Sequence, residues 1–283
     1  MSLPASEQFF LLMALGFATG VYGTLIGAGG GFVLMPVLLL LYPAESPERL
    51  TSISLAVVFF NALSGSEAYA LMRRIDYRSG LLFAAAAVPG AVLGALNTSA
   101  VPRRLFDAVF GALLFAAAVY LGFRTSPEES PPPPTATPPR HHVTRRIRAA
   151  DGADYVYSFD PRIGVGLSLA VGYVSSFLGI GGGIVHVPAL TSLLHFPVHV
   201  ATATSHFILA VMALTGTIVH VATGTFAHGV HRTVALALGV AVGAQVGAHL
   251  STRVRGPWIM RGLAGALALV GGRILVLVFE GKP

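Results

Sequence analysis

The residues of this chain best suited to chemistry are glycines. Residues 20–38 read GVYGTLIGAGGGFVLMPVL and residues 172–190 read GYVSSFLGIGGGIVHVPAL. Gly27, Gly29, Gly30, Gly31 and Pro36 recur at one constant offset as Gly179, Gly181, Gly182, Gly183 and Pro188. A glycine run inside an apolar stretch leaves backbone N–H groups uncovered by side chains and free to adopt positive φ. A helix that begins just after the run aims its first N–H groups, with their partial positive charge, at one point, and that suits an anion. The proline removes a donor and frees a carbonyl one turn back. Apolar segments interrupted by glycine and proline at corresponding places in two halves form the pattern of a transporter binding site. The plainer reading is that these glycines only allow close packing.

Polar side chains within apolar blocks come next. Ser52, Ser54, Asn61 and Ser64 lie on the second block, and Thr202, Thr204, Ser205, His206 and Thr215 on the sixth. Ser54 and Asn61 are seven apart, hence on one helical face. Asn61, Ser205 and His206 are the candidates to contact oxyanion oxygens beside the glycines; interhelical hydrogen bonding is the alternative for each. Asn61 aligns with Met212, so no symmetric pair of amides exists. His186, His206, His220 and His249 fall inside apolar blocks, and Glu67 is the carboxylate expected within a span. An imidazolium could neutralise an anion and couple proton binding to its movement; a neutral, hydrogen-bonded histidine is the alternative. Glu67 either carries a proton or pairs with an arginine near the helix end.

Other chemistries lack support. The chain has no cysteine, so thiolate catalysis, disulfides and Cys-based metal sites are excluded. No HExxH spacing suggests a metal, and Phe32 and Ile184 stand where a nucleotide-binding P-loop needs its lysine. No enzyme, cofactor or metal is expected.

The elements that must position these residues are membrane helices. Charged residues make up 11% of the 283 and mean hydropathy is +0.74, whereas a soluble domain carries about 25% charge. Apolar blocks fall near 8–42, 50–72, 79–99, 104–123, 162–196, 200–226, 229–251 and 257–279. A span needs roughly 20 residues. The first and fifth blocks are longer and hold the glycines, so each is expected to be two helical pieces around a broken centre. The expected fold is an all-α integral membrane protein of about eight transmembrane segments in two fourfold repeats, at 1–123 and 162–283. The first block is expected to be a retained span rather than a signal peptide. Between the repeats, residues 124–161 hold a proline run and arginines; the expectation is a disordered or extended linker.

The net charge of +6 comes from arginines between apolar blocks, the pattern of loop anchors rather than of a nucleic-acid partner. If every block spans in turn, the repeats are parallel and the linker side holds 11 Lys/Arg against 6; if the broken segments re-enter, the repeats are inverted and the split is 12 against 5, Arg273 counted in neither. Both versions put the linker in the cytoplasm of a protein of the inner cell membrane.

The duplication continues beyond the glycines. Ala62–Gly65 reads ALSG against ALTG at Ala213–Gly216, and GAxxGA occurs at Gly90–Ala95 and Gly243–Ala248. With the paired GxGGG-xxxx-P segments and the hydrophilic middle, the chain resembles the TauE/SafE family of sulfite exporter-like permeases over about 8–123 and 162–279. The resemblance implies transport of small anions such as sulfite or organosulfur anions, without ATP hydrolysis, with the paired glycines and prolines along the substrate path. Alternating access is the expected mechanism, either as uniport or with proton or sodium coupling. An anion channel, or a membrane sensor or enzyme without transport, is the alternative. The small-residue faces fit packing within one bundle or between protomers.

Overall fold

The computed structural model of the chain describes residues 5–123, 141–228, 230–251 and 256–280. Among these residues five helices precede a short β-hairpin and five follow it. The first five are α1 (Ala5–Ile26), α2 (Gly31–Leu41), α3 (Pro47–Leu71), α4 (Tyr77–Asn97) and α5 (Arg103–Phe123). The hairpin pairs β1 (Val143–Arg148) with β2 (Asp154–Phe159). The last five are α6 (Pro161–Leu178), α7 (Gly183–Ser192), α8 (Val198–Ala222), α9 (Val230–Leu250) and α10 (Gly256–Phe279). Six of them, α1, α3, α4, α6, α8 and α9, are long and apolar enough to cross a membrane. The fold is that of an all-α integral membrane protein with a small β element. Local signals set the helix starts: Ser46 caps α3 ahead of Pro47, Asp160 caps α6 ahead of Pro161, and Asp76 caps α4.

The halves interlock. α1 packs along α9 and α6 along α4, while α3 packs on α8 and α5 on α10. The GAxxGA glycines make the first two contacts. A Cβ at Gly243 would stand 2.3 Å from the Phe17 carbonyl oxygen of α1, and one at Gly94 would stand 2.2 Å from the Tyr173 oxygen of α6. The small residues therefore bring backbones together across the halves. Contact order gives direction. Gly239, Gly243 and Gly247 meet Met13, Phe17 and Val21, so α1 and α9 are parallel; Gly65 meets His206 and Gly216 meets Leu55, so α3 and α8 are antiparallel.

Residues 141–161 correct the expectation of a disordered or extended linker; 124–140 lie outside the described residues. Val143-Thr-Arg-Arg-Ile-Arg148 and Asp154-Tyr-Val-Tyr-Ser-Phe159 alternate with period two, and Gly152 turns the chain between them at φ 87°. Tyr157 and Phe159 face inward, with ring centroids 4.5 and 4.8 Å from Phe196. Asp76 anchors the hairpin: its carboxylate accepts from Tyr157 Oη at 2.8 Å and from Ser79 Oγ, and Arg145 lies 3.7 Å away. Burial, then the Asp76 charge, pushes the Tyr157 hydroxyl pKa up.

The opposite end is tied by Glu45, which pairs with Arg49 and with Arg232 of α9. Partial burial raises its pKa, yet the hydrogen bonds and charges of the two arginines outweigh that and hold it below its ordinary 4.5. Near it, Arg103 binds both oxygens of Asp107 and the carbonyls of Leu39, Pro43 and Glu45.

Two predictions follow from this packing. Gly243→Leu overpacks α9 on α1 and should lower the thermal midpoint in detergent, at a cost of about 1–3 kcal/mol, while Gly166→Leu, with nothing within 4 Å of its Cβ position, should melt like the wild type. Because the Glu45 pKa is depressed, its stabilisation is complete above pH 4.5 and fades as pH falls through the lowered value. Glu45→Gln should therefore melt earlier than wild type at neutral pH, and the two melting curves should converge once the pH has fallen below the lowered pKa.

Candidate functional site

Both glycine runs break a helix. α1 ends at Ile26 and α2 starts at Gly31; α6 ends at Leu178 and α7 starts at Gly183. Within the breaks, Gly27, Gly29 and Gly30 have φ of 81°, 75° and 76°, and Gly179, Gly181 and Gly182 have 68°, 79° and 64°. These are three matched pairs in the left-handed region, where a Cβ costs about 1–2 kcal/mol per residue. Gly31 and Gly183 are the first residues of α2 and α7 and serve closeness instead. A Cβ on Gly31 would lie 2.6 Å from the Ile180 oxygen, and one on Gly183 would lie 2.5 Å from the Ala28 Cα. The two breaks thus touch backbone to backbone, and both are buried.

The hydrogen bonds show what the breaks leave open. Ala28 N donates to Gly23 O at 2.8 Å and Ile180 N to Ser175 O at 3.2 Å, which closes the preceding helices. The N–H groups of Gly30, Gly31 and Phe32, and of Gly181, Gly182 and Ile184, have no backbone partner among the described residues. No side chain caps α2 or α7. Amides left open at a helix start are of the kind that can bind an anion.

Side chains reach the breaks crosswise. Ser54 of α3 donates to the Gly179 carbonyl at 2.5 Å, and Ser205 of α8 donates to the Gly27 carbonyl at 3.3 Å. In the ALSG/ALTG register Ser54 corresponds to Ser205 and Thr51 to Thr202, and these threonines pack on Gly179 and Gly27. Each half therefore braces the break of the other.

The surroundings of the two breaks differ. Asn61 is fully buried: its Oδ1 accepts from Thr24 Oγ1 at 3.1 Å, while Nδ2 has no partner and would lie 3.7 Å from a Cβ on Gly30. His206 Nε2 is 3.3 Å from Thr24 Oγ1; with the Thr24 proton given to Asn61, the imidazole donates. Tyr69 donates to the Thr24 carbonyl at 2.8 Å and packs edge-on to His206. At the equivalent places around the second break stand Met212 for Asn61, Leu55 for His206 and His220 for Tyr69. Met212 Cε would lie 3.1 Å from a Cβ on Gly182.

The remaining residues singled out by sequence scatter. Pro36 and Pro188 lie inside α2 and α7, past the breaks. His186 is buried with Nε2 3.1 Å from Ser168 Oγ. His220 is buried near the end of α8, and His249 Nδ1 donates to the Gln245 carbonyl at 2.8 Å on an exposed site. Glu67 is exposed on the outer face of α3. Glu67, His186, His220 and His249 thus stand in separate surroundings rather than as one cluster. Among the described residues no group of His, Asp and Glu could hold a metal. Sequence reasoning passed over Thr24, Tyr69 and Ser54 as site residues; the ALSG/ALTG register, carried ten residues back, pairs Ser54 with Ser205.

Comparison with known proteins identifies the family. The model of the sulfite exporter TauE/SafE family matches residues 12–274. A probable membrane transporter protein of Bacillus subtilis, YunE, is 31% identical over 97% of this chain and 98% of its own length. A probable membrane transporter protein of Methanocaldococcus jannaschii is 24% identical over 76% of this chain and 73% of its own. No solved structure matches. A match that takes in both broken helices and nearly every helix between them means that this chain belongs to the sulfite exporter TauE/SafE family of membrane transporters.

Proposed function

We propose that the protein is a secondary carrier of small anions, most readily sulfite or organosulfur anions, that holds its cargo at the meeting point of the two broken helices. The observation that carries this reading is the backbone contact of the breaks, with unpaired N–H groups of α2 and α7 on either side of it. Backbone amides and half-helix dipoles bind negative charge without a basic side chain, and paired broken helices at the interface of two repeats are the architecture of alternating access. Ser205, with Ser54, holds carbonyls away from the anion path by occupying them as acceptors. Asn61 offers a free amide donor at the first break, and His206 holds Thr24 in register with it. Gly27, Gly29–Gly31, Gly179 and Gly181–Gly183 form the site; Pro36 and Pro188 keep the half-helices from continuing as uniform α-helix.

An inverted arrangement of repeats 1–123 and 162–283 accounts for the directions of the helices. α3 runs antiparallel to its counterpart α8, and Gly111 of α5 meets Leu275 and Gly271 of α10 in antiparallel order. With α1 parallel to α9, α1 and α2 must enter and return on one side. The helix ends that carry Arg73, Arg74, Arg78 and the Arg-rich hairpin then share a face, which the positive-inside rule puts in the cytoplasm of the cell membrane. Rocking one half against the other would expose the breaks to each side in turn. Proton or sodium coupling would give the carrier its direction.

The test is flux in proteoliposomes with sulfite, sulfoacetate, thiosulfate and acetate. Saturable sulfite or sulfonate flux is expected, and Gly30→Ala and Gly182→Ala should reduce it at least tenfold; unaltered flux in both would remove the site from the breaks. Asn61→Met, which gives the first break the residue of the second, should raise KM for the anion by about five- to a hundredfold, as expected for a lost hydrogen bond to a charged group. Flux that does not saturate and ignores pH and sodium gradients would replace the carrier with a channel.

A further inference from the structure

Arg74 is an arginine that the fold seals but does not saturate. It follows α3, after a left-handed Arg73 at φ 54°, and its backbone N donates to Tyr69 O at 3.2 Å. Its side chain is 8% exposed. Nη2 donates to Asp151 Oδ2 at 2.9 Å, while Nε and Nη1 are buried without a partner among the described residues. A guanidinium stays charged at any working pH, and leaving its donors unpaired in the interior is costly. The fold saturates an arginine elsewhere: Arg103 meets a carboxylate and three carbonyls at the opposite end. The deficit at Arg74 is therefore local and calls for an explanation.

Its one carboxylate partner among the described residues is replaceable. Asp151 sits on the turn of the β-hairpin, 53% exposed, held by Ala153 N at 3.1 Å. The same turn binds the end of α3 through Ala150 N to Met72 O at 3.0 Å. Inward from Arg74, whose backbone N is bonded to Tyr69 O, a series of hydrogen-bonded polar groups begins at the Tyr69 hydroxyl. Tyr69 bonds Thr24, Thr24 bonds Asn61 and His206, and the Asn61 amide faces Gly30. Among the described residues of the second half, the counterparts Ser176 and His220 are buried but not joined by a hydrogen bond. Thr225 stands at the position that corresponds to Arg74 and donates to Glu48 at 2.6 Å.

We propose that Arg74 is a receiving site for the oxyanion on the hairpin face, with Asp151 as an internal stand-in that the incoming anion displaces before passing by Tyr69 and Thr24 to the first glycine break. This rests on the anion-carrier reading above. A small oxyanion with two or more negative oxygens, of the sulfite or sulfonate type, supplies the acceptors that Nε and Nη1 lack and exceeds the single carboxylate oxygen that Asp151 presents. The hairpin thereby sets apparent affinity, since every anion bound at Arg74 must first compete with it.

The experiment uses the full chain in proteoliposomes and in detergent, with sulfite as probe. Asp151→Asn removes the competitor and should lower KM for sulfite about two- to fivefold, the scale of an exposed ion pair, with kcat little changed. Arg74→Gln should raise KM at least tenfold, and Arg74→Lys should recover part of that loss. In detergent, the sulfite concentration giving half-maximal thermal stabilisation should shift the same way in each variant. An unchanged KM and an unchanged half-maximal concentration in Asp151→Asn overturn the proposal, whatever happens to the midpoint without sulfite, and leave Asp151 as a clip for the hairpin. Absence of flux in wild-type vesicles, together with competing sulfite binding in detergent, would instead remove the carrier reading and keep the Arg74 site.

Discussion

The contact on which this structure depends is between two pieces of main chain that no side chain separates. Gly31 against the Ile180 carbonyl and Gly183 against Ala28 put the starts of α2 and α7 closer than any residue with a Cβ would permit. Buried amides normally find partners within their own helix. Here the helices stop, the left-handed glycines turn the chain, and donors at each half-helix start are left without a backbone partner among the described residues. Such an arrangement is stable only where protein surrounds it. Around the breaks it does: α3 and α8 cross on them, and Ser54 and Ser205 occupy carbonyls that would otherwise be orphaned.

That enclosure depends in turn on exchange between the halves. α1 leans on α9 rather than on α4, and α6 on α4 rather than on α9. The first piece of each broken helix is thus fixed by the opposite half, through glycine faces that let backbones touch. Each break thus joins a piece held by the opposite half to a piece that packs with its own. Glu45 with Arg232 on one end, and Asp76 with Tyr157 and Arg145 on the other, place charged ties at the two rims.

Much of this was readable in the chain, for physical reasons that can be named. Three consecutive glycines have few purposes inside an apolar stretch, so the breaks and their pairing followed from the letters. The small-residue spacing likewise announced close helix contacts, though not that they would run between halves: periodicity identifies a face but not its partner. The hairpin was lost because the proline run and the arginine count dominated the composition of 124–161. The alternation in Val143–Arg148 and Asp154–Phe159 was present, and so was the Ala-Asp-Gly-Ala turn. A carboxylate in an apolar block says nothing about which side of the helix it takes, and Glu67 takes an exposed one. His186, His220 and His249 each found a separate local environment that spacing along the chain could not foretell.

The departure from symmetry carries the most physical information. Around the second break the fold accepts Met212 and Leu55 beside the buried His220 and Ser176, whose Nε2 and Oγ have no partner among the described residues. The less polar version therefore suffices to hold the architecture. Around the first break the same positions hold Asn61 and His206, with Thr24 and Tyr69 joined to them, all buried, and an amide nitrogen left unpaired. Burying such groups costs free energy unless each is hydrogen-bonded. The twin break shows that the scaffold stands without an amide and an imidazole at the positions of Asn61 and His206, so packing alone does not require them there.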